Sequence, residues 1–320
     1  MLAEKFIRIT KGLIKAMIPV RSLHEPSSTG GTTDSRYCYA AWLRHLILLH
    51  KYKKEIPATV AELGPGDSPG TGIAALLSGC KKYIGLDVFT YGNAAHNVKI
   101  FDELVVLFSN RTSLPDDKAL PFLDNYDFPA HILTEEILER SMAAERLATI
   151  RKELASPAPS NIYVNYFVPW KVTDIKDDTL DFVFSQSVLQ YTDLDLVYSS
   201  INKWLKIKGA TSHVIDFAAL GSSSQWNGHW AYSSLEWKLF GFRRKMLINR
   251  SPLSVHKNYL AKYNFNLLNI ITYKKKEGFA KNQLAKEFRQ FTDDDVETHT
   301  AYMLSVKEND IVSVNNNEQC

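Results

Sequence analysis

The sequence predicts an α/β protein built on a mostly parallel sheet. From residue 58 onward, short β-prone runs alternate with stretches of helical periodicity, which is the pattern of βαβ units. The chain has 320 residues, of which 45% are hydrophobic and 23% charged, so it can bury a sizeable core. This apolar content excludes disorder of the whole chain, and no run approaches the roughly 20 uninterrupted apolar residues of a membrane span.

Residues 1–57 are predicted to form an N-terminal helical segment. The first 18 residues have the pattern of a basic amphipathic helix, which docks on its own domain or, alternatively, touches a lipid surface. Its apolar face carries Phe6, Ile9, Leu13 and Met17. Lys11 and Lys15 interrupt any signal-peptide core, so we expect a cytoplasmic protein, with peripheral membrane contact through this helix as the alternative.

Seven strands are expected between residues 58 and 310. Five are parallel and the last two close the sheet as a pair: 58–63, 82–87, 162–166, 180–185, 210–216, 265–273 and 300–306. Helices are expected at 71–78, at 134–154, and along an apolar stripe that starts at Leu194 and ends by Gly209. We therefore predict one domain over 58–310 with insertions at 90–160 and 217–262, followed by a polar tail at 311–320.

A glycine-rich turn follows the first predicted strand. Gly64, Gly66 and Gly70 have the spacing GxGxxxG, one residue longer than the dinucleotide fingerprint GxGxxG. Glycines let the backbone approach a ligand closely, and the helix that follows offers free N–H groups. Glu62 precedes the turn, where a carboxylate can meet an ammonium group, and Asp87 ends the next strand, where it can bind a ribose diol.

Four segments, in this order, resemble the motifs of the class I S-adenosylmethionine-dependent methyltransferases. They read ELGPGDSPG at 62–70, GLD at 85–87, DFVFSQSVLQY at 181–191 and WLKIKGA at 204–210. The last departs from the family pattern, since Ile207 replaces a proline and Ala210 a glycine. The resemblance implies a Rossmann-like, seven-stranded, mostly parallel sheet with helical insertions, and S-adenosylmethionine as cofactor.

The resemblance also implies which residues bind that cofactor. Glu62 would lie near the methionine amino group, Asp87 would bind the ribose, and residues at the end of the fourth strand would line the sulfonium. Phe167 or Val168 would cover adenine, unless both belong to the core. The cofactor-binding residues predicted in this way are Glu62, Gly64, Pro65, Gly66, Gly70, Asp87, Val88, Phe167, Val168, Ser185 and Gln186.

Methyl transfer to a hydroxyl needs a base, and four residues are candidate catalytic groups. Asp216 ends the fifth strand and is predicted to face the cleft, and His229 could reach the site on a mobile loop. His213 lies on the opposite face of that strand from Asp216, where a hydrogen-bonded core histidine is the alternative. Tyr191 stands where relatives often have histidine. No His, Cys, Asp or Glu spacing indicates a metal site.

The aromatic insertion at 217–262 is the predicted substrate site, although a hydrophobic cap would explain it equally well. Trp226 and Trp230 suit stacking on a sugar or planar ring. The basic side chains that would suit phosphate are Arg243, Arg244 and Lys245. The segment 238–281 carries eleven lysines and arginines and one acid, yet no nucleic-acid recognition module is present.

The favoured function is O-methylation of a small-molecule or glycan acceptor. In one form of this hypothesis the acceptor bears a phosphate group. A catalytically silent, cofactor-binding module is the first alternative. A nicotinamide-dependent oxidoreductase is the second, and both the GxGxxxG spacing and Glu62 disfavour it.

Overall fold

The computed structural model contains a seven-stranded sheet with the strand order β3-β2-β1-β4-β5-β7-β6. It describes residues 4–10, 31–90, 92–116, 119–156, 160–242, 244 and 246–309. The strands are β1 (Thr59–Leu63), β2 (Lys82–Leu86), β3 (Val164–Phe167), β4 (Leu180–Gln186), β5 (Leu205–Asp216), β6 (Phe265–Lys274) and β7 (Thr298–Lys307). Strand β7 pairs antiparallel with both β5 and β6, and the other neighbouring strands pair in parallel. The predicted mostly parallel seven-stranded sheet is therefore confirmed.

Helices cover both faces of this sheet. They are α1 (Ser35–Lys53), α2 (Gly70–Leu77), α3 (Ala94–Ser109), α4 (Glu135–Ser141), α5 (Ala144–Ala155), α6 (Leu194–Trp204), α7 (Ser234–Phe240), α8 (Leu253–Lys262) and α9 (Asp293–Glu297). Helices α1 to α5 pack on one face, and α6, α8 and α9 contribute to the core on the other. Residues 4–10 are also helical, whereas Leu13, Met17 and the tail at 311–320 lie outside the described residues.

Strand β4 shows why the sheet is buried on both sides. Phe182 and Phe184 point into the core under α1, and Val183 between them points into the opposite core. Successive side chains of a strand alternate between faces, so a continuous apolar run such as this one needs helices on both. This double burial explains the α/β architecture.

Two predicted helix boundaries are wrong. The single helix expected at 134–154 is divided into α4 and α5, and the Arg146 side chain bonds the Ser141 carbonyl at the break. The helix expected to continue toward Gly209 ends at Trp204, because Leu205 already pairs with Leu180 in the sheet. Periodicity marked both stretches correctly as helical but could not locate these ends.

The turn after β1 requires glycine at its first two glycine positions. Gly64 and Gly66 have φ values of 64° and 70°, a region that disfavours other residues. A Cβ atom on Gly64 would also lie 2.6 Å from Cγ2 of Val188. The Gly64 amide donates to the Leu86 carbonyl at 2.8 Å, which holds the turn against the end of β2.

We expect Gly64→Ala to destabilise the fold by about 2–5 kcal/mol, since left-handed strain and the contact with Val188 add. Gly221→Ala is the matched control: Gly221 has a φ of 83°, but a Cβ there would meet nothing within 4 Å. The control should cost only about 1–2 kcal/mol. Urea denaturation of both variants measures the difference, and equal losses would contradict the role given to Val188.

Candidate active site

The glycine turn is bonded to the acid that ends the neighbouring strand. Oδ2 of Asp87 accepts from the Gly66 amide at 3.1 Å, and Oδ1 accepts from the amides of Val88 and Phe89 at 2.7 and 3.3 Å. Asp87 is buried, and burial raises the pKa of its carboxyl even though these three amides oppose the shift. Asp87 thus faces the turn, as the sequence predicted.

The start of the loop after β3 completes this corner of the site. The Asp87 amide donates to the Phe167 carbonyl, and the Trp170 amide donates to the Asp87 carbonyl, each at 3.1 Å. Phe167 and Val168 are half-buried beside it, and the Val88 side chain is 53% exposed. An apolar surface therefore lies next to a buried carboxylate at the carboxyl ends of β2 and β3.

Thr32, which precedes α1, is hydrogen-bonded to the glycine turn at Pro65 and Ser68. Its hydroxyl donates to the Pro65 carbonyl at 2.9 Å and accepts from the Ser68 amide at 3.1 Å. The Ser68 hydroxyl donates to the Thr32 carbonyl and accepts from the Gly70 amide, the first of α2. Gly70 itself must be small, because a Cβ there would lie 2.4 Å from Sγ of Cys38 on α1.

Glu62 is a second buried carboxyl, close enough to Asp87 for that charge to affect it. Its side chain accepts a hydrogen bond from the Tyr83 hydroxyl at 2.8 Å. Burial raises the pKa of Glu62 to about 8, and the Asp87 charge adds to this rise. The Tyr83 hydroxyl and the Gly72 amide, in the first turn of α2, oppose it. Glu62 is therefore largely protonated near neutral pH and would ionise readily beside a cation.

The two predicted residues at the end of β4 point to different faces. Ser185 is fully buried and lies 2.7 Å from Nδ1 of His213. Gln186 faces α1, where its Oε1 lies 3.1 Å from Nε2 of His45, and its amide donates to the Leu120 carbonyl. Only Gln186 therefore shares the face on which Glu62 lies.

Sequence reasoning missed the contribution of α1 to the site. The Tyr37 hydroxyl lies near Gln186 and close enough to Glu62 for that charge to raise its pKa further, after burial. His45 bridges Gln186 and Ser212, with Nδ1 2.5 Å from the Ser212 hydroxyl. These contacts join residues up to 167 positions apart, so no local pattern could have shown them.

The four candidate catalytic residues have different surroundings. Asp216 is half-buried at the end of β5 and accepts from the Ala218 amide at 2.8 Å. Tyr191 is partly exposed, and both burial and the nearby Asp216 charge raise its pKa. These two residues therefore lie close together at the carboxyl edge of the sheet.

The histidines are buried and uncharged. The two ring nitrogens of His213 each lie 2.7 Å from a hydroxyl, of Ser185 and of Thr211, so it matches the alternative of a core histidine. His229 is packed against Trp230 with ring centroids 4.4 Å apart, which corrects the expectation of a mobile loop. Burial lowers the pKa of both rings to about 3.

The prediction that the aromatic insertion forms a stacking site for a substrate is wrong. Trp226 and Trp230 are buried in the core below α8, and the Trp230 indole donates to the Arg250 carbonyl. The Arg244 guanidinium lies over the Phe240 ring at 3.9 Å. Arg243 and Lys245 lie outside the described residues. The aromatic residues of the insertion thus form a hydrophobic cap, the alternative explanation of this segment.

No protein-family model and no curated protein matches the chain. Among solved structures it is similar to a Listeria monocytogenes protein assigned as an S-adenosylmethionine-dependent methyltransferase, with 16% identity and a TM-score of 0.42 over 84% of this chain and 98% of that one. It is also similar to Haemonchus contortus phosphoethanolamine N-methyltransferase 2 in complex with S-adenosylhomocysteine, with 14% identity and a TM-score of 0.40 over 83% of this chain and 53% of that one. A third similar structure is geranyl diphosphate methyltransferase in complex with S-adenosylmethionine, with 12% identity and a TM-score of 0.43 over 84% of this chain and 85% of that one. Likeness at this level says nothing of the ligand or activity of this chain.

We expect Glu62→Gln to change how stability depends on pH. The folded pKa of about 8 lies above the usual glutamate pKa of 4.5, so this carboxyl stabilises the fold at low pH, and the contribution is lost as pH rises through about 8. Urea denaturation should show that the free energy of unfolding of the variant rises relative to that of the wild type, on the order of a few kcal/mol, between about pH 5 and pH 9. The exposed Glu145→Gln is the control, and equal curves for Glu62→Gln and wild type would show that Glu62 is not buried as described.

Proposed function

We propose that the chain is an S-adenosylmethionine-dependent methyltransferase. One observation carries this proposal: two buried carboxyls, Glu62 and Asp87, flank a glycine turn whose amide at Gly66 is bonded to Asp87. The motif order in the sequence supports the same assignment. Glycine brings the backbone close to a ligand, and the two carboxyls supply an ammonium site and a diol site on either side.

The residues fit the chemistry of this methyl donor. Glu62 is a buried acid with a raised pKa, and an ammonium group beside it would favour its ionised form. Asp87 accepts three amide hydrogen bonds, and a carboxylate offers about four lone-pair positions, so it can accept from a ribose hydroxyl as well. The exposed Val88 and the half-buried Phe167 and Val168 would lie against adenine. When bound, the donor supplies a methyl group already activated on a positively charged sulfur.

We further propose a small-molecule or glycan hydroxyl as the acceptor. Such a hydroxyl must lose its proton as the methyl group arrives, and the half-buried Asp216 carboxylate is the proposed base. The Tyr191 hydroxyl has a raised pKa, so it stays protonated and can donate a hydrogen bond to the acceptor oxygen. On the face shared with Glu62, Gln186 and Tyr37 would exclude water from the methyl group.

Calorimetry on the purified chain tests the donor site. We expect S-adenosylmethionine and S-adenosylhomocysteine to bind with dissociation constants on the order of micromolar. Asp87→Asn should weaken both by at least about tenfold, because it removes the charge and replaces one of the two oxygens that accept backbone amides by an NH2 donor. Asp102→Asn on the exposed face of α3 is the control. If neither compound binds the wild type, the proposal fails.

Release of S-adenosylhomocysteine tests the acceptor, with a panel of sugars, nucleotide sugars, small alcohols and amines. Turnover is expected with hydroxyl compounds, and Asp216→Asn should lower kcat on the order of a hundredfold with unchanged S-adenosylhomocysteine affinity. Turnover with amines alone, or an unaltered kcat in Asp216→Asn, would contradict the assignment of the base. Cofactor binding without turnover on any compound would favour the catalytically silent module.

A further inference from the structure

The helical residues 4–10 dock on the insertion that follows β5. The Lys5 ammonium donates to Oε2 of Glu236 on α7 and to the Ala231 carbonyl, both at 2.8 Å. Glu4 accepts from the Ser224 amide at 2.8 Å, and Arg8 donates to the Gly221 carbonyl at the same distance. The side of the helix that carries residues 4, 5 and 8 therefore faces the protein.

Apolar packing completes this docking. Ile9 packs against a cluster formed by Tyr232, Trp237, Phe240 and Ile248. Two of these residues belong to α7, so residues 4–10 and α7 share one small core. This cluster is separate from the two cores that cover the sheet.

Both helices turn apolar side chains away from this shared core. Phe6 is 71% exposed and Leu235 69% exposed, and the others in the group are exposed as well. We call this group the apolar ridge; its members are Phe6, Ile7, Leu235 and Leu239. On α7, Leu235 and Leu239 are one helical turn apart, so they share a face.

Cations stand among the residues of the ridge. Lys238 is exposed between Leu235 and Leu239 on α7. Arg8 and Arg244 both lie near Tyr232, and Arg8 lowers the pKa of the Arg244 guanidinium further, after burial. Arg8 is paired with Glu4 at 3.0 Å, and the Arg244 guanidinium lies over the Phe240 ring.

We infer that the apolar ridge rests on the surface of an anionic lipid bilayer, with the surrounding arginine and lysine side chains at the level of the headgroups. Exposed phenylalanine, leucine and isoleucine on outward helix faces, among cations, are the pattern of interfacial binding. A protein partner is less favoured, because the ridge residues project from two helices and the ridge includes none of the tryptophans or tyrosines typical of interface anchors. Within the described residues no helix is long and apolar enough to cross a bilayer, so the contact would be peripheral.

Flotation of the full-length chain with lipid vesicles tests this inference. We expect binding to phosphatidylcholine vesicles that contain roughly 30% phosphatidylglycerol and weak binding to phosphatidylcholine alone. The double variant Phe6→Ser/Leu235→Ser should lose at least about tenfold in partitioning, because both side chains enter the interface. Lys238→Glu should lose about tenfold on the anionic vesicles and change little on the neutral ones.

Leu196→Ser is the matched control, since Leu196 is an exposed leucine on α6 outside the ridge. Binding of S-adenosylhomocysteine by each variant tests the donor site, and vesicle binding tests the ridge. Failure of the membrane inference is therefore distinguishable from failure of the proposed function. The inference is overturned if the wild type binds neither vesicle, or if the double variant binds like Leu196→Ser. It is also overturned if light scattering shows a dimer that the double variant converts to a monomer, because the ridge would then be a protein interface.

Discussion

The site depends on the Asp87 carboxyl more than on any other group. Through its side chain and backbone, Asp87 bonds to residues that follow three adjacent strands: Gly66 after β1, Val88 after β2 and Trp170 after β3. These bonds fix the carboxyl ends of the strands relative to one another. A ligand that enters here meets a preformed edge, which lowers the conformational entropy that binding must overcome. The same acid is therefore both the support of the edge and its main polar feature.

Glu62 shows the cost of keeping such an edge ready. A buried acid is unfavourable when ionised, and a second acid nearby makes ionisation harder, so Glu62 holds its proton to about pH 8. The hydroxyl of Tyr83 and the amide of Gly72 offset part of this effect without neutralising it. A cation would offset more, and it would couple its own binding to the release of a proton. Binding of a cation beside Glu62 would thus offset the stability that burial of this carboxyl costs the free protein.

The sheet and the turn could be predicted from the sequence because both are local patterns. A strand of five residues, a glycine pair with positive φ and an acid at the end of the next strand can each be recognised within a short stretch of the chain. The partners of Gln186 could not be predicted, since His45 and Leu120 come from distant segments that only the fold brings together. The insertion after β5 misled for another physical reason. Tryptophan occurs both in cores and in binding sites, so its presence in the sequence does not show that Trp226 and Trp230 are buried.

The position of Glu62 also bears on the two alternative functions. A dinucleotide places its pyrophosphate at the N-terminus of the helix after β1, and here the Glu62 carboxyl lies near the Gly72 amide in the first turn of α2. A phosphate at that point would have to keep Glu62 protonated, because the ionised carboxylate would repel it. A silent module would face the opposite difficulty, because a buried acid with a raised pKa, such as Glu62, costs stability in a protein that binds nothing there. A cationic ligand with a diol, as the proposed methyl donor is, would account for both acids beside the glycine turn.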